Sequence, residues 1–302
     1  MRVLIIGDAI KDVYTDCIFK KNCPDAPTVG AYTLNSDESR PGGAANVALN
    51  LAALSGLDSS IDLICALDVA QARSIKSISM SRVSIERCLL VDEMITKERL
   101  MLDGEFTARI DRRSMVEHTV ARDILCLLKL YLHDHTPDLV ILSEYAGGTV
   151  DSKVLELLLT MRDRLIVDTK RTDLSQFEGS LLLKLNESEL NNVLLHDAIP
   201  ERFFKAMIVT RGAAGSRVIK RLMTSNNAAT THTVHIPSRK TDVIDVCGCG
   251  DTYVAGLVTS LLKDGDIINA AEFATAAAAV AVSRRRTAIV TLEDVLKMQR
   301  KT

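Results

Sequence analysis

The chain of 302 residues contains no Trp, only six Pro, and 4% aromatic residues. No Pro/Gly/Ser-rich stretch interrupts it, so no linker is available at which it would divide. One fold carrying a lid is expected over residues 1–302. Net charge is nearly absent too: 37 Lys+Arg stand against 39 Asp+Glu, a formal −2. That excludes nucleic-acid binding through bulk charge, so any anion must be held by a local site. No apolar run reaches the roughly 18–20 residues of a membrane span. The apolar run near Met1 is too short for a signal peptide and lacks a small-residue cleavage site; it reads as a first strand. The seven cysteines include no CxxC, and Cys247-x-Cys249 has no zinc partner nearby. Without an export signal a disulfide framework is not expected, and reduced thiols in a cytoplasmic protein are. Cys65 and Cys126 are read as small core residues. His133-Asp134-His135 and His232-x-x-His235 lack a third ligand and are read as surface loops. No GxxxxGK[ST] occurs, which excludes a P-loop.

What is present is apolar and periodic: 47% of residues are hydrophobic, too many for a disordered chain. Val3–Ile6 reads as a strand covered on both faces. Residues 13–40 and 86–112 alternate polar and apolar, as two or three short strands and an antiparallel pair would, and are expected to form a small β lid. Ala44–Leu54 is a small-residue helix. From Glu117 onward strand and helix alternate: Leu139–Leu142, Leu165–Val167, Leu181–Leu185 and Met207–Thr210 as strands, with a late hairpin at 218–236. Helices follow at 252–262, 270–282 (Ala-rich, so closely packed) and 292–298. The expected class is α/β, a central, mostly parallel sheet flanked by helices.

One stretch carries chemistry. In Asp245-Val-Cys-Gly-Cys-Gly-Asp251 the glycines allow a tight turn, and the amides of Gly248, Cys249 and Gly250 would converge at a helix N-terminus, where an anion binds. Asp251 beside such a hole repels a resting phosphate. It makes sense as a base that takes a proton from a hydroxyl attacking a phosphoryl group. The alternative is a plain turn with Asp251 as helix N-cap. A second stretch, Arg40-Pro-Gly-Gly-Ala-Ala-Asn46, sets two glycines before a helix and offers an amide suited to hydroxyls, or else a local cap.

Together, Gly42-Gly43-x-x-Asn46 and Asp245-x-x-Gly248-x-Gly250-Asp251 resemble the two signatures of the ribokinase-like (PfkB) carbohydrate kinases. The resemblance spans nearly the whole chain. It is closest to the D-glycero-β-D-manno-heptose 7-phosphate kinases, through Gly7-Asp8-x-x-x-Asp12, Thr96-Lys97-x-Arg99, Ser143-x-Tyr145-Ala146, Asp168-x-Lys170 and Asn186-x-Ser188-Glu189. It implies ATP and Mg²⁺ as cofactors and transfer of the γ-phosphoryl to a sugar hydroxyl, with Asp251 as catalytic base and Gly248, Cys249 and Gly250 as anion hole. It implies sugar contacts at Asp12, Gly42, Gly43 and Asn46. Lys97, Arg99 and Arg109, on presumed lid strands, would grip the phosphate of a sugar phosphate, though any one of them could be a solvated surface charge. Lys170, Asn186, Thr210, Arg211, Gly212 and Gly215 fall at nucleotide-binding positions. Asn186 and Glu189 match the family's Mg²⁺ motif, and are also a ready capping box. The resemblance further implies a homodimer through the lid, with no nucleic-acid or membrane partner. No His-x-Gly-His signature is present, so the kinase step alone is expected.

The sequence departs from that pattern in places. Glu144 replaces an Asp, Gly147 a Lys, Cys247 and Cys249 a Thr and an Ala, and Arg286 a Gly. Arg resists the positive φ a glycine adopts, so the loop at 284–287 is expected to be reshaped. Another sugar or nucleoside as acceptor, or a catalytically silent binding protein on the same scaffold, are the competing readings.

Overall fold

The computed structural model describes residues 1–55, 59–112, 118–194, 204–223 and 229–300; the change of pattern at Glu117 lies outside them. In β1 (Arg2–Gly7), Val3 and Ile5 turn into one core and Leu4 and Ile6 into another, all four fully buried. A strand apolar on both faces requires a cover on both, and the rest of the chain supplies it. After β1 come β2 (Ala9–Cys23), β3 (Ala26–Gly43), α1 (Ala44–Leu54), β4 (Ser60–Ile64), β5 (Ala66–Leu67), α2 (Val69–Ile78), β6 (Val83–Ser84), β7 (Leu89–Leu90), β8 (Thr96–Leu102) and β9 (Glu105–Arg112). The second half alternates: α3 (His118–Asp134), β10 (Leu139–Ser143), α4 (Ser152–Leu159), β11 (Leu165–Asp168), β12 (Leu182–Asn186), α5 (Glu187–Leu194), β13 (Ala206–Thr210), β14 (Ser216–Met223), β15 (Ala229–Ile236), α6 (Cys249–Asp264), α7 (Ile267–Val282) and α8 (Leu292–Gln299).

Nine strands form the main sheet in the order β15-β14-β13-β12-β11-β10-β1-β4-β6. It is parallel except at β14 and β15. Helices α1, α6, α7 and α8 cover one face; α3, α4 and α5 cover the other. The Ala-rich α7 does pack closely, for a Cβ on Gly256 of α6 would sit 3.0 Å from the Ala274 Cα.

A second sheet, in the order β3-β2-β8-β9, is the lid. Residues 9–43 make two long strands rather than several short ones, because the only break is the turn at Pro24-Asp25. The second lid segment is shorter than 86–112: only 96–112 joins the sheet, while Leu89–Leu90 pairs with β5. The lid is not a simple meander either, since β2 and β8 run parallel. Helix α2, capped by Asp68, has no strong apolar period and was not expected. Cys65 is buried, but Cys126 is exposed; the buried stripe of α3 is Ala121, Ile124, Leu128 and Tyr131, and Cys126 lies off it. His232 and His235 lie on β15 rather than in a loop. Among the described residues no helix is long and apolar enough to cross a membrane.

Candidate active site

Asp8, Glu144, Asp168, Asn186 and Thr210 end or follow β1 and β10–β13, so the carboxyl edge of the parallel sheet gathers polar groups where open α/β sheets bind ligands. The N-terminus of α6 is set against this edge. Its N-cap is Gly248, at φ +72, with no side-chain capping bond. A Cβ there would lie 2.6 Å from Asn46 Nδ2, so the position demands glycine for both torsion and space. The first-turn amides therefore meet no side-chain cap and lie at the positive end of the helix dipole.

Asp251 is in that turn, 4% exposed. It is not the N-cap: its Oδ1 accepts from the Tyr145 hydroxyl at 2.5 Å and its Oδ2 from Asn46 Nδ2 at 2.9 Å. Burial pushes the carboxyl up from 3.8 to about 6; Tyr145 and Asn46 oppose the rise, the Asp168 charge adds to it, and Lys184 counters it. Such a group is ionised at neutral pH yet basic enough to take a proton. Asn46, expected to meet sugar hydroxyls, is fully buried and used on both sides, since its Oδ1 accepts from Asn50 Nδ2 at 2.8 Å. Its amide nitrogen is what holds the Asp251 carboxylate.

Asp12 is likewise engaged. Its Oδ1 accepts from Arg99 at 2.7 Å and its Oδ2 from the Thr287 hydroxyl at 3.1 Å. Gly42 and Gly43 have no room for a side chain: a Cβ on Gly42 would be 2.2 Å from Asp12 Oδ2, and one on Gly43 would be 2.4 Å from the Asp8 carbonyl. They let Asp12 and the backbone of Asp8 come close. Arg99 and Arg109 face each other across β8 and β9. They line a cavity of about 740 Å³ together with Tyr14, Arg40, Arg286 and Cys247. Arg109 forks onto Asp111 at 2.7 and 2.9 Å. Lys97 does not line this cavity; its ammonium lies 5.1 Å from the centre of the Tyr145 ring. The expected cation trio is thus split.

On the other side of the Cys247–Gly250 turn is a second, mostly apolar cavity of about 570 Å³, lined by Thr210, Gly212, Gly215, Cys249, Gly250 and Ala278 among others. Gly215, at φ +81, leaves no room for a Cβ, which would lie 2.1 Å from the Ile236 carbonyl. Arg211 is absent from the lining of this cavity. It turns to Glu187 at 3.0 Å and His235 at 3.1 Å, where a carboxylate offsets its charge. Asn186 and Glu189 form the capping box of α5, each backbone N–H donating to the other's side chain at 2.8 Å. Lys170 donates to the same Glu189. Among the described residues no three His, Cys, Asp or Glu gather to hold a metal.

Lys184 was missed in the sequence. It is buried and donates to Asp168 at 3.1 and 3.0 Å. A Cβ on Gly250 would lie 3.4 Å from its ammonium, so this cation sits beneath the helix N-terminus. Burial alone would pull its pKa down, but the Asp168 and Glu189 carboxylates more than offset that and raise it. One signal was available: a lone Lys in the apolar strand Leu182–Asn186 must be paired inside.

A sequence profile of the pfkB family carbohydrate kinases matches residues 2–294. The chain belongs to this family. A pfkB carbohydrate kinase implies ATP as the phosphoryl donor. The bifunctional protein HldE of Shewanella baltica (strain OS195) is 30% identical over 98% of this chain, and the chain spans 63% of that protein's length. Solved structures share the fold. Phosphofructokinase-2 from Escherichia coli superposes with a TM-score of 0.72 at 16% identity, covering 100% of this chain and 98% of that one. A Methanocaldococcus jannaschii nucleoside kinase gives 0.70 at 18%, covering 100% and 98%. The ribokinase of Thermotoga maritima gives 0.68 at 17%, covering 99% of each.

Proposed function

We propose that this pfkB kinase transfers the γ-phosphoryl of ATP to the anomeric hydroxyl of D-glycero-D-manno-heptose 7-phosphate, giving the 1,7-bisphosphate. The observation that carries the reading is the buried Asp251 at the uncapped N-terminus of α6, beside the turn that separates a mostly apolar cavity from an arginine-rich one. Asp251 takes the acceptor proton as the oxygen attacks. The first-turn amides and the Lys184 ammonium stabilise charge on the moving phosphoryl. Adenine and ribose suit the cavity bordered by Gly212, Gly215 and Ala278. The acceptor's own phosphate suits the lid-side cavity lined by Arg99, Arg109 and Arg286, whose guanidinium groups would trade carboxylate partners for phosphate oxygens. Support for the heptose also comes from the likeness to HldE. Mg²⁺ would be held mainly by ATP phosphates and water, with Asn186 and Glu189 as the nearby protein groups; the Glu189 carboxylate already accepts from Lys170 and the Asn186 amide. When bound it would offset phosphate charge.

ADP release, coupled to a reporter, over heptose 7-phosphate, ribose, fructose 6-phosphate and nucleosides tests the reading. Turnover is expected with heptose 7-phosphate above the others, and Asp251→Asn is expected to lower kcat by about 10²–10⁴-fold. No turnover with any heptose phosphate would sink the substrate assignment; an unaffected Asp251→Asn would sink the base.

A further inference from the structure

We propose that Tyr145 is a positioning residue for the transfer: its phenol holds one oxygen of Asp251 while Asn46 holds the other, and buried Asp8 fixes the loop that delivers it. The proposal rests on the reading of Asp251 as base. Three groups of contacts carry it. First, the Tyr145 hydroxyl meets Asp251 Oδ1 at 2.5 Å, a charge-assisted bond aimed at the group that must be ionised and oriented. Second, the loop behind Tyr145 is tied down far beyond what a surface connection needs. The fully buried Asp8 carboxylate accepts from the amides of Tyr145 at 2.7 Å, Gly147 at 2.9 Å and Thr149 at 3.2 Å. On the other flank, Glu144 is gripped by Arg171 at 2.7 and 2.9 Å and by Thr169 at 2.6 Å. Gly147 has no space for a side chain, since a Cβ would be 2.7 Å from Asp8 Oδ1 and 2.1 Å from Ile95 Cδ1. The Gly147 departure is therefore part of the clamp. Third, the Tyr145 ring lies 5.1 Å from both the Lys97 ammonium of the lid and the Lys170 ammonium beside Glu189. One residue thus touches the lid and the base, and adjoins the ion pair at the head of α5.

The protonation states agree with this. Burial and the Asp251 charge push the Tyr145 phenol well above its ordinary value, so the proton stays on tyrosine and the bond is donated to a carboxylate. Around Asp251 stand Tyr145, Asn46 from α1, Asp168 from β11 and Lys184 from β12, with Cys249 on its own helix and Lys97, Lys170 and Glu189 beyond the Tyr145 ring. Deleting the phenol removes a group that lowers the Asp251 pKa and leaves Asp168 and burial to raise it.

Tyr145→Phe keeps the ring and removes only the hydroxyl. Its acidic limb of kcat/KM is expected to move up by about one pH unit, with kcat down about tenfold at pH 7 and a narrower deficit at high pH. Acceptor KM should hardly change. The same shift should appear with no substrate in a ¹³C-carboxylate NMR titration, with the Asp251 signal assigned by its loss in Asp251→Asn. The wild type should titrate near 6 and Tyr145→Phe above it. If Tyr145→Phe folds poorly, difluorotyrosine placed at 145, a stronger donor, should shift the Asp251 titration downward. An unmoved titration overturns the proposal, as does a Tyr145→Phe enzyme with raised kcat and lowered KM, which would make Tyr145 a plug that the acceptor displaces. The NMR arm decides this even if the heptose panel fails, so the two failures are distinguishable.

Discussion

Cys247 and Cys249 lie two residues apart and face different cavities, Cys247 the arginine-rich one and Cys249 the apolar one. Burial pushes Cys247 up to about 11, with Asp12 adding to the rise; burial also raises Cys249, against the pull of Lys184. Both are therefore thiols at neutral pH, and slow nucleophiles. Alkylation by iodoacetamide is expected to inactivate the enzyme slowly at pH 7 and faster as pH rises. ATP should shield Cys249, and the sugar phosphate Cys247. Peptide mass spectrometry of partly labelled protein reads this directly; equal labelling of both with either ligand would refute the two-cavity assignment. At this scale the sequence shows which residues are chemical but not which are already taken. Asp251 and its glycines stand out because spacing alone marks a turn before a helix. The engagement of Asn46 by Asp251, or of Arg211 by Glu187, depends on partners far along the chain that no local pattern exposes.

The elements were legible where one period dominated. β1, α1 and β10–β13 follow from apolar runs, whereas α2 has a weak apolar face and the long lid strands hide their register. Arg286 is where an element-scale expectation fails. It does adopt the positive φ, +66, which costs about 1–2 kcal/mol for a non-glycine residue. Its amide donates to Asp245 at 2.8 Å, and its guanidinium reaches Asp16 at 2.6 Å and Glu38 on the two longest lid strands, lying 5.4 Å from the Tyr14 ring centre. These contacts offset the torsional cost and tie the loop between α7 and α8 to the lid. Arg286→Gly removes both the strain and the tie. Melting temperature should therefore change little, while amide exchange in β2 and β3 accelerates and acceptor KM rises several-fold. Hydrogen exchange mass spectrometry checks the faster exchange, and unchanged exchange in those strands would show that the lid is held by other means.

Over the whole molecule, polar business is concentrated at one sheet edge, which is why a net charge of −2 suffices for handling phosphates. The class of fold was readable because alternation of strand and helix admits few topologies; how lid and body meet was not, because that contact joins residues such as Arg286 and Asp16 that lie far apart in the chain. The lid also projects apolar side chains into water: Ile18 is 51% exposed, Phe19 46%, Tyr32 40% and Leu34 57%. Phe19 and Tyr32 already meet edge to face at 5.7 Å, forming a small aromatic platform near the lid tip. We propose a second copy of this chain as its cover, giving a homodimer through the lid. Burying such side chains contributes about 25 cal/mol per Å², and a self-complementary patch on a projecting sheet suits two-fold pairing. Light scattering at micromolar concentration should give twice the 33.0 kDa chain mass, and Phe19→Lys with Tyr32→Lys should return it to one, with Asp251 chemistry intact but acceptor KM raised because each lid loses its support. A wild-type monomer at that concentration would refute the dimer.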